Sequence, residues 1–277
     1  MNTAMIKELR ERTGVGFGDC KKALVEADWE MDRAVEILRL QSGAKAEKKA
    51  DRTASEGLLG LALDGDSGAI VEINVETDFA ARGDKFADFV ERAVSHVLDQ
   101  GADGIAAALE GERQALVQEI GENVNVRRAA CLDASGGIVA GYLHQDRKKG
   151  ALVCLDGGDS VLARDLAMHV TAMRPLVVAP EEVPADAVAK ERAIYVEQAA
   201  DEVAKKQQQS RKTLPAEVLQ RIADGIVTGR IRKFLAESSL VEQPFVKDAS
   251  TKVGDLLKGA GATCTAFERF EVGEGIE

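Results

Sequence analysis

The 277-residue chain is 45% hydrophobic and 30% charged, with a formal net charge of −11, a balance that fits a folded protein with a sizeable core and excludes a disordered one. The acidic surplus argues against a nucleic-acid binder, which would carry a basic face, and no apolar run approaches the ~18 residues of a membrane helix. The N-terminal MNTAMIKELRERTG is amphipathic and lacks an apolar signal core, so a cytoplasmic protein without membrane or direct nucleic-acid contact is expected.

Residues 1–41 read as a three-helix N-terminal module. Met5, Ile6 and Leu9 mark the first helix, and Thr13-Gly14-Val15-Gly16 breaks it. A second helix is expected over 19–27 and a third over 31–40, with Ala34, Val35 and Leu38 on one face. The intervening TGVGFGDCKK is not a phosphate loop: the Walker spacing fails, the Ser/Thr is missing and a helix precedes it. Phe17 either packs on the module core or projects to a partner, and general burial tendencies favour packing. Residues 42–55, SGAKAEKKADRTAS, hold no large apolar residue and read as a basic linker, with a solvated helical extension as the other reading.

Residues 56–137 form the first part of an α+β core. Strands are expected over 58–63 and 70–75 around the turn DGDSG, then a helix carrying Phe86, Phe89, Val90, Ala93, Val94 and Val97, and a second over 112–120. In VEINVETDF, Val71, Ile73 and Val75 alternate with Glu72, Asn74 and Glu76, the pattern of a half-buried strand. Residues 138–277 repeat the theme: strands over 138–143 and 151–155, then a helix with Leu162, Leu166, Val170 and Met173. Compared with the second copy, the first has a strand-to-helix connection six residues longer, and the excess falls in TDFAAR, a usual place for function. Within the second part, 181–236 reads as a projecting helical hairpin of coiled-coil type, broken at KKQQQSRKT, before a final helix near 253–257 and a strand near 266–272.

No catalytic constellation is visible. The cysteines Cys20, Cys131, Cys154 and Cys264 and the histidines His96, His144 and His169 are scattered, so no metal site and no cofactor are expected, and the cysteines read as small reduced apolar residues. Asp78 and Arg82 are an acid–base pair or, four residues apart, a local ion pair. Phe79 either caps the hairpin core or serves as an aromatic anchor for a partner's pocket; burial tendencies favour the cap. On the residues alone, a non-catalytic adaptor with a helical arm and an α+β enzyme using Asp78 both stay open.

IKELRERTGVGFGDCKKAL, TDFAAR, AMHVTAMRP, QPFVKD and RFEVGEGIE, in this order, resemble the elongation factor Ts family. The resemblance implies an N-terminal ubiquitin-associated-like module, a two-subdomain α+β core with antiparallel sheets and a projecting coiled-coil hairpin. It implies a guanine-nucleotide exchange factor, with no chemistry of its own, for elongation factor Tu in its GDP-bound and nucleotide-free forms, with a homodimer of the complex as a further expectation. The segment associated with dislodging Mg²⁺ from the GTPase corresponds to Thr77, Asp78, Phe79 and Ala80, with Ala80 where Val is usual; Arg82 is a supporting position. Val15, Phe17 and Asp19 fall in the part that touches the nucleotide-binding domain, where relatives often carry two Met at the positions of Phe17 and Gly18. His144 lies in the subdomain facing another domain of the GTPase. Some relatives continue past GEGIE into a further module, and its contacts are expected to be absent here.

Overall fold

The computed structural model describes residues 2–209 and 214–276; the part of the expected KKQQQSRKT break at 210–213 lies outside them. Helices α1 (Asn2–Thr13), α2 (Phe17–Glu26) and α3 (Met31–Glu47) close around Ile6, Leu9, Cys20, Leu24 and Leu38. Gly14 turns the chain at φ +68°, and a Cβ there would collide with the Glu119 side chain of the core, so this turn is also where the module meets its neighbour.

The expected linker is a correction. α3 runs through Glu47, and Ser42 and Ala46 are buried. Lys45 Nζ reaches Asp19 Oδ2 at 2.6 Å, and the Lys49 ammonium donates to the Gly121 carbonyl. The lack of large side chains, which read as solvation, lets this helix lie close against the core: a Cβ at Gly43 would stand 3.3 Å from Gln114 Oε1, already a tight contact.

In the core, β1 (Glu56–Asp64) and β2 (Ser67–Val75) form an antiparallel hairpin. Helices α4 (Asp78–Ala81), α5 (Asp84–Gln100), α6 (Ile105–Ala108) and α7 (Glu110–Ile120) follow, and β3 (Val124–Asp133) returns beside β2. The second subdomain repeats this plan. β4 (Ile138–Leu143) and β5 (Lys149–Asp156) form a hairpin, α8 (Ser160–Met173) follows, and β8 (Thr263–Glu271) closes the sheet beside β5. Between α8 and β8 lie the arm helices α9 (Ala185–Gln209) and α10 (Ala216–Ser238), a small ribbon of β6 (Pro244–Phe245) and β7 (Asp248–Lys252), and α11 (Val253–Gly259). The arm thus occupies the place in the second subdomain that α6 and α7 hold in the first. Its helices pack on each other through Ala199, Val227 and Ile231, and Ile194, Val196, Val218 and Ile222 stay exposed among mostly polar residues.

The two sheets, of order β1-β2-β3 and β4-β5-β8, face each other across Leu59, Ile70, Val139, Leu152 and Phe270. α5 covers the outer side of the first with Phe86, Phe89 and Val94 against Val71, Ile73 and Val75, and α8 covers the second with Leu166 and Val170. β2 is therefore buried on both faces. The half-buried expectation fails because Glu72 and Asn74, at 0% exposure, are covered by the opposing sheet side and not by solvent.

Glu72 is a buried charge with four donors. Arg127 Nη1, Asn74 Nδ2 and the Gly273 amide donate to Oε1 at 2.8, 3.1 and 2.9 Å, and Arg128 Nε donates to Oε2 at 2.6 Å. Two adjacent arginines reach one carboxylate because Arg128 stands opposite Glu72 and Val126 opposite Ile73, which leaves Arg127 as the extra residue of a β-bulge. Arg128 also binds the start of RFEVGEGIE: it lies 4.3 Å over the Phe270 ring and donates to the Glu271 carbonyl at 3.1 Å.

AMHVTAMRP and QPFVKD meet at His169, which is buried. Its Nδ1 accepts from the Val246 amide at 3.1 Å, so the neutral ring carries its proton on Nε2 and donates to Gln243 Oε1 at 2.9 Å. Gln243 Nε2 in turn donates to the Glu237 and Met173 carbonyls, joining α8 to the root of the arm. Burial pushes the imidazole below its ordinary pKa, and the bond to Gln243 only partly opposes this. The unfolded chain takes up this proton near ~6.5 while the native state resists it. Stability is therefore lost as pH falls below that value. The urea midpoints of the wild type and His169→Gln are expected to draw together between pH 7.5 and pH 5.5; a constant separation would contradict a buried neutral ring.

Candidate functional site

β2 ends at Val75, opposite Val124. Residues 76–83 then lead to α5, whereas only 157–159 separate β5 from α8. Part of the longer connection folds into α4, a single turn. Thr77 caps it in extended conformation (φ −124°, ψ 155°), its Oγ1 accepting from the Ala80 amide at 3.2 Å. Glu122, two residues past the end of α7, receives both donors of Thr77: the amide on Oε2 at 2.9 Å and the hydroxyl on Oε1 at 2.8 Å.

This capped turn has an inner and an outer side. Ala81 is buried and Ala80 packs against the same core. Phe79 points the other way at 82% exposure, and no large apolar side chain among the described residues is more exposed. The core-cap expectation for Phe79 is overturned, because the inner side of the turn is filled by the two alanines. Ala80 accordingly supports the turn from within. Asp78 and Arg82 form the local ion pair, Oδ2 to Nη2 at 2.8 Å, largely in solvent, where such pairs contribute little.

The supporting candidates sit elsewhere. Phe17 opens α2 at 45% exposure and is half out of the module core, against the packing expectation. Asp19 is bridged to α3 by Lys45, whose hydrogen bond holds the carboxyl below its usual range, with Lys22 adding to it. Val15 is buried at 4%, so its side chain shapes the turn from inside. His144 follows β4, half exposed, with Nδ1 3.0 Å from Asp146 Oδ1 and its ring edge-on to Tyr142. Among the described residues these sets are not hydrogen-bonded to one another; each stands on its own unit. Cys131 is exposed, unlike the other three cysteines, and all four are free thiols.

Among the described residues no three His, Cys, Asp or Glu side chains converge as a metal would require. A groove of about 760 Å³ between β4 and α8 is lined by Leu63, Tyr142, Val161 and Met168, with Asp165 and Lys247 paired to each other at 2.5 Å. Among the described residues no helix is long and apolar enough to cross a membrane.

A family model described as Elongation factor TS matches residues 76–274. Elongation factor Ts of Saccharophagus degradans is 48% identical over 283 aligned residues, covering 100% of this chain and 93% of the relative. The protein of the same name from Hahella chejuensis is 47% identical, with the same shares covered. That from Alcanivorax borkumensis is 47% identical over 99% of this chain and 94% of its own length.

The chain belongs to the elongation factor Ts family. It is thus a translation elongation factor, and its mixed helical and antiparallel architecture is that of an α+β elongation factor Ts. The family model begins at Glu76, the first residue past β2, so the matched region opens on the Thr77–Arg82 turn, while the relatives also span the N-terminal module. The residue at this turn that sequence reasoning did not reach is Glu122. It lies far from Thr77 in the chain and outside any periodic element; the helix-stop Gly121 at φ +85° is the one local signal that the chain reverses there.

Proposed function

We propose that the protein binds elongation factor Tu·GDP and promotes GDP release, acting by binding alone in the cytoplasm. Phe79 and Asp78 are the tip of a wedge that shifts the elements holding Mg²⁺ and nucleotide in the GTPase. The observation that carries this reading is Phe79 itself: a large apolar ring left in solvent on a capped turn at the end of a strand buried on both faces. Aromatics make up only 4% of the chain, and a ring held outward on a capped turn has the form of an aromatic anchor for a partner's pocket.

The mechanism is a coupling between two ligands of one GTPase. Nucleotide and exchange factor each weaken the other's binding by the same factor. Nucleotide affinity draws on Mg²⁺ bridging the phosphates, and a wedge on the Mg²⁺ side removes part of it. Burying Phe79 supplies about 1.5–3 kcal/mol, against about 1.4 kcal/mol for each tenfold in rate. The rest of the effect comes from the broader surface that includes Phe17 and Asp19 on the N-terminal module and His144 on the second subdomain.

The deciding experiment is release of labelled GDP from purified elongation factor Tu with and without this protein. Acceleration that saturates with protein concentration is expected. An unchanged release rate would overturn exchange and leave a scaffold.

A further inference from the structure

The β2–β3 ladder stops at Val75↔Val124, and beyond it two carboxylates take over the amides. The Asn123 amide donates to Glu76 Oε1 at 2.6 Å, and the Thr77 amide donates to Glu122 Oε2 at 2.9 Å. Each segment thus gives a backbone N–H to the acid of the other, a crossed strap where the strands part. Asn123 Nδ2 also donates to the Arg52 carbonyl at 2.8 Å, and Arg52 lies 3.5 Å from Glu76, so the segment after α3 braces the same corner.

Within the strap Glu122 has a distinct part. The Thr77 hydroxyl gives its only proton to Glu122 Oε1, which leaves its lone pairs for the Ala80 amide. Glu122 therefore fixes both the position of Thr77 and the direction of its cap. This matters because α4 is one turn long, too short to hold itself. Phe79 has no packing of its own, so its aim depends on Ala81 beneath and the cap above.

We infer that Glu122 is a positioning residue for nucleotide exchange: through Thr77 it holds the turn that presents Phe79, without touching the partner's nucleotide site. The inference rests on the wedge reading above.

The test uses the full-length protein in the GDP-release assay, reading the maximal release rate and the half-saturating concentration separately. Glu122→Ala is expected to lower the maximal rate about 3- to 10-fold and to leave the half-saturating concentration within about twofold. Glu122→Gln keeps an oxygen for the Thr77 amide and should retain most of the rate. Combined with Phe79→Ala, Glu122→Ala should add no further slowing, since it acts through that ring. A full maximal rate in Glu122→Ala, or slowing that multiplies with that of Phe79→Ala, overturns the inference. Should Glu122→Ala fold poorly, Thr77→Val carries the test, losing the hydroxyl relay but not the amide, with Thr77→Ser as the rescue. Amide hydrogen exchange at Ala80 separates the two readings. Unchanged exchange in Glu122→Ala shows that Glu122 does not hold the turn and overturns the inference on its own ground; faster exchange with release unchanged in both Glu122→Ala and Phe79→Ala shows that the turn is held but the wedge fails, and the inference falls with the wedge.

Discussion

Phe79→Ala is expected to slow the maximal rate of factor-promoted GDP release by about 10- to 100-fold, the range that burial of one aromatic ring allows. The concentration of factor giving half-maximal release should change little. The two quantities separate because they report different contacts. In the proposed mechanism, encounter with the GDP-bound GTPase draws on the N-terminal module and both subdomains, whereas the ring engages where nucleotide-site elements must move. A contact made only as those elements shift lowers the barrier to release without tightening the first complex. By reciprocity, GDP should weaken binding of the variant less than it weakens binding of the wild type. Folding should be untouched, because the ring is 82% exposed in the free protein and surface substitutions usually stay within about 0.5 kcal/mol. Stopped-flow release beside a urea melt tests all of this. Unchanged release with an unchanged melt would remove Phe79 from the mechanism, and a lowered melt would return it to the core.

Much of this fold is written in local periodicity, and the parts that are not have identifiable causes. Both hairpins, α5, α8 and the arm announce themselves because their apolar residues recur at one spacing on one face. β3 does not, since the bulge at Arg127 puts two arginines side by side and breaks the alternation that identifies a strand. The burial of Glu72 is equally silent: alternation distinguishes the two faces of β2 but cannot tell that a second sheet and the Gly273 turn cover the polar one. Residues 42–47 read as linker because small side chains signal solvation in isolation and close packing only when α7 is there to meet them. At the site, the long TDFAAR connection marked the place. The outward aim of Phe79 was not legible, because it follows from which neighbours fill the inner side of α4. Glu122 was further from reach still, since only the return of β3 beside β2 brings its loop to Thr77.

That return is braced by Glu72, and its removal is expected to cost a large share of the protein's stability. Glu72→Ala leaves Arg127 and Arg128 without their shared acid, and breaking a buried pair from one side costs about 3–5 kcal/mol. The lower end applies here, because both arginine side chains keep some contact with solvent, at 21% and 32% exposure. Desolvation by itself would raise the carboxyl's pKa. The Gly273 amide, Arg127, Arg128 and Asn74 outweigh it and hold the acid below its ordinary range. The unfolded chain protonates this acid near ~4.3, so the stabilisation is fully present above that pH and is lost as pH falls through the lower native value. Urea unfolding should accordingly show the gap between wild type and Glu72→Ala wide at pH 7 and closing below about pH 4. Glu72→Gln, with nearly the same volume, should cost most of what Glu72→Ala does, since its amide group turns donors toward donors. Replacing Glu72, Arg127 and Arg128 together by apolar residues of similar size should recover much of the loss, as no unpaired charge remains. A gap that persists unchanged at low pH, or a Gln variant as stable as the wild type, would mean that Glu72 holds the two strands by volume and not by charge.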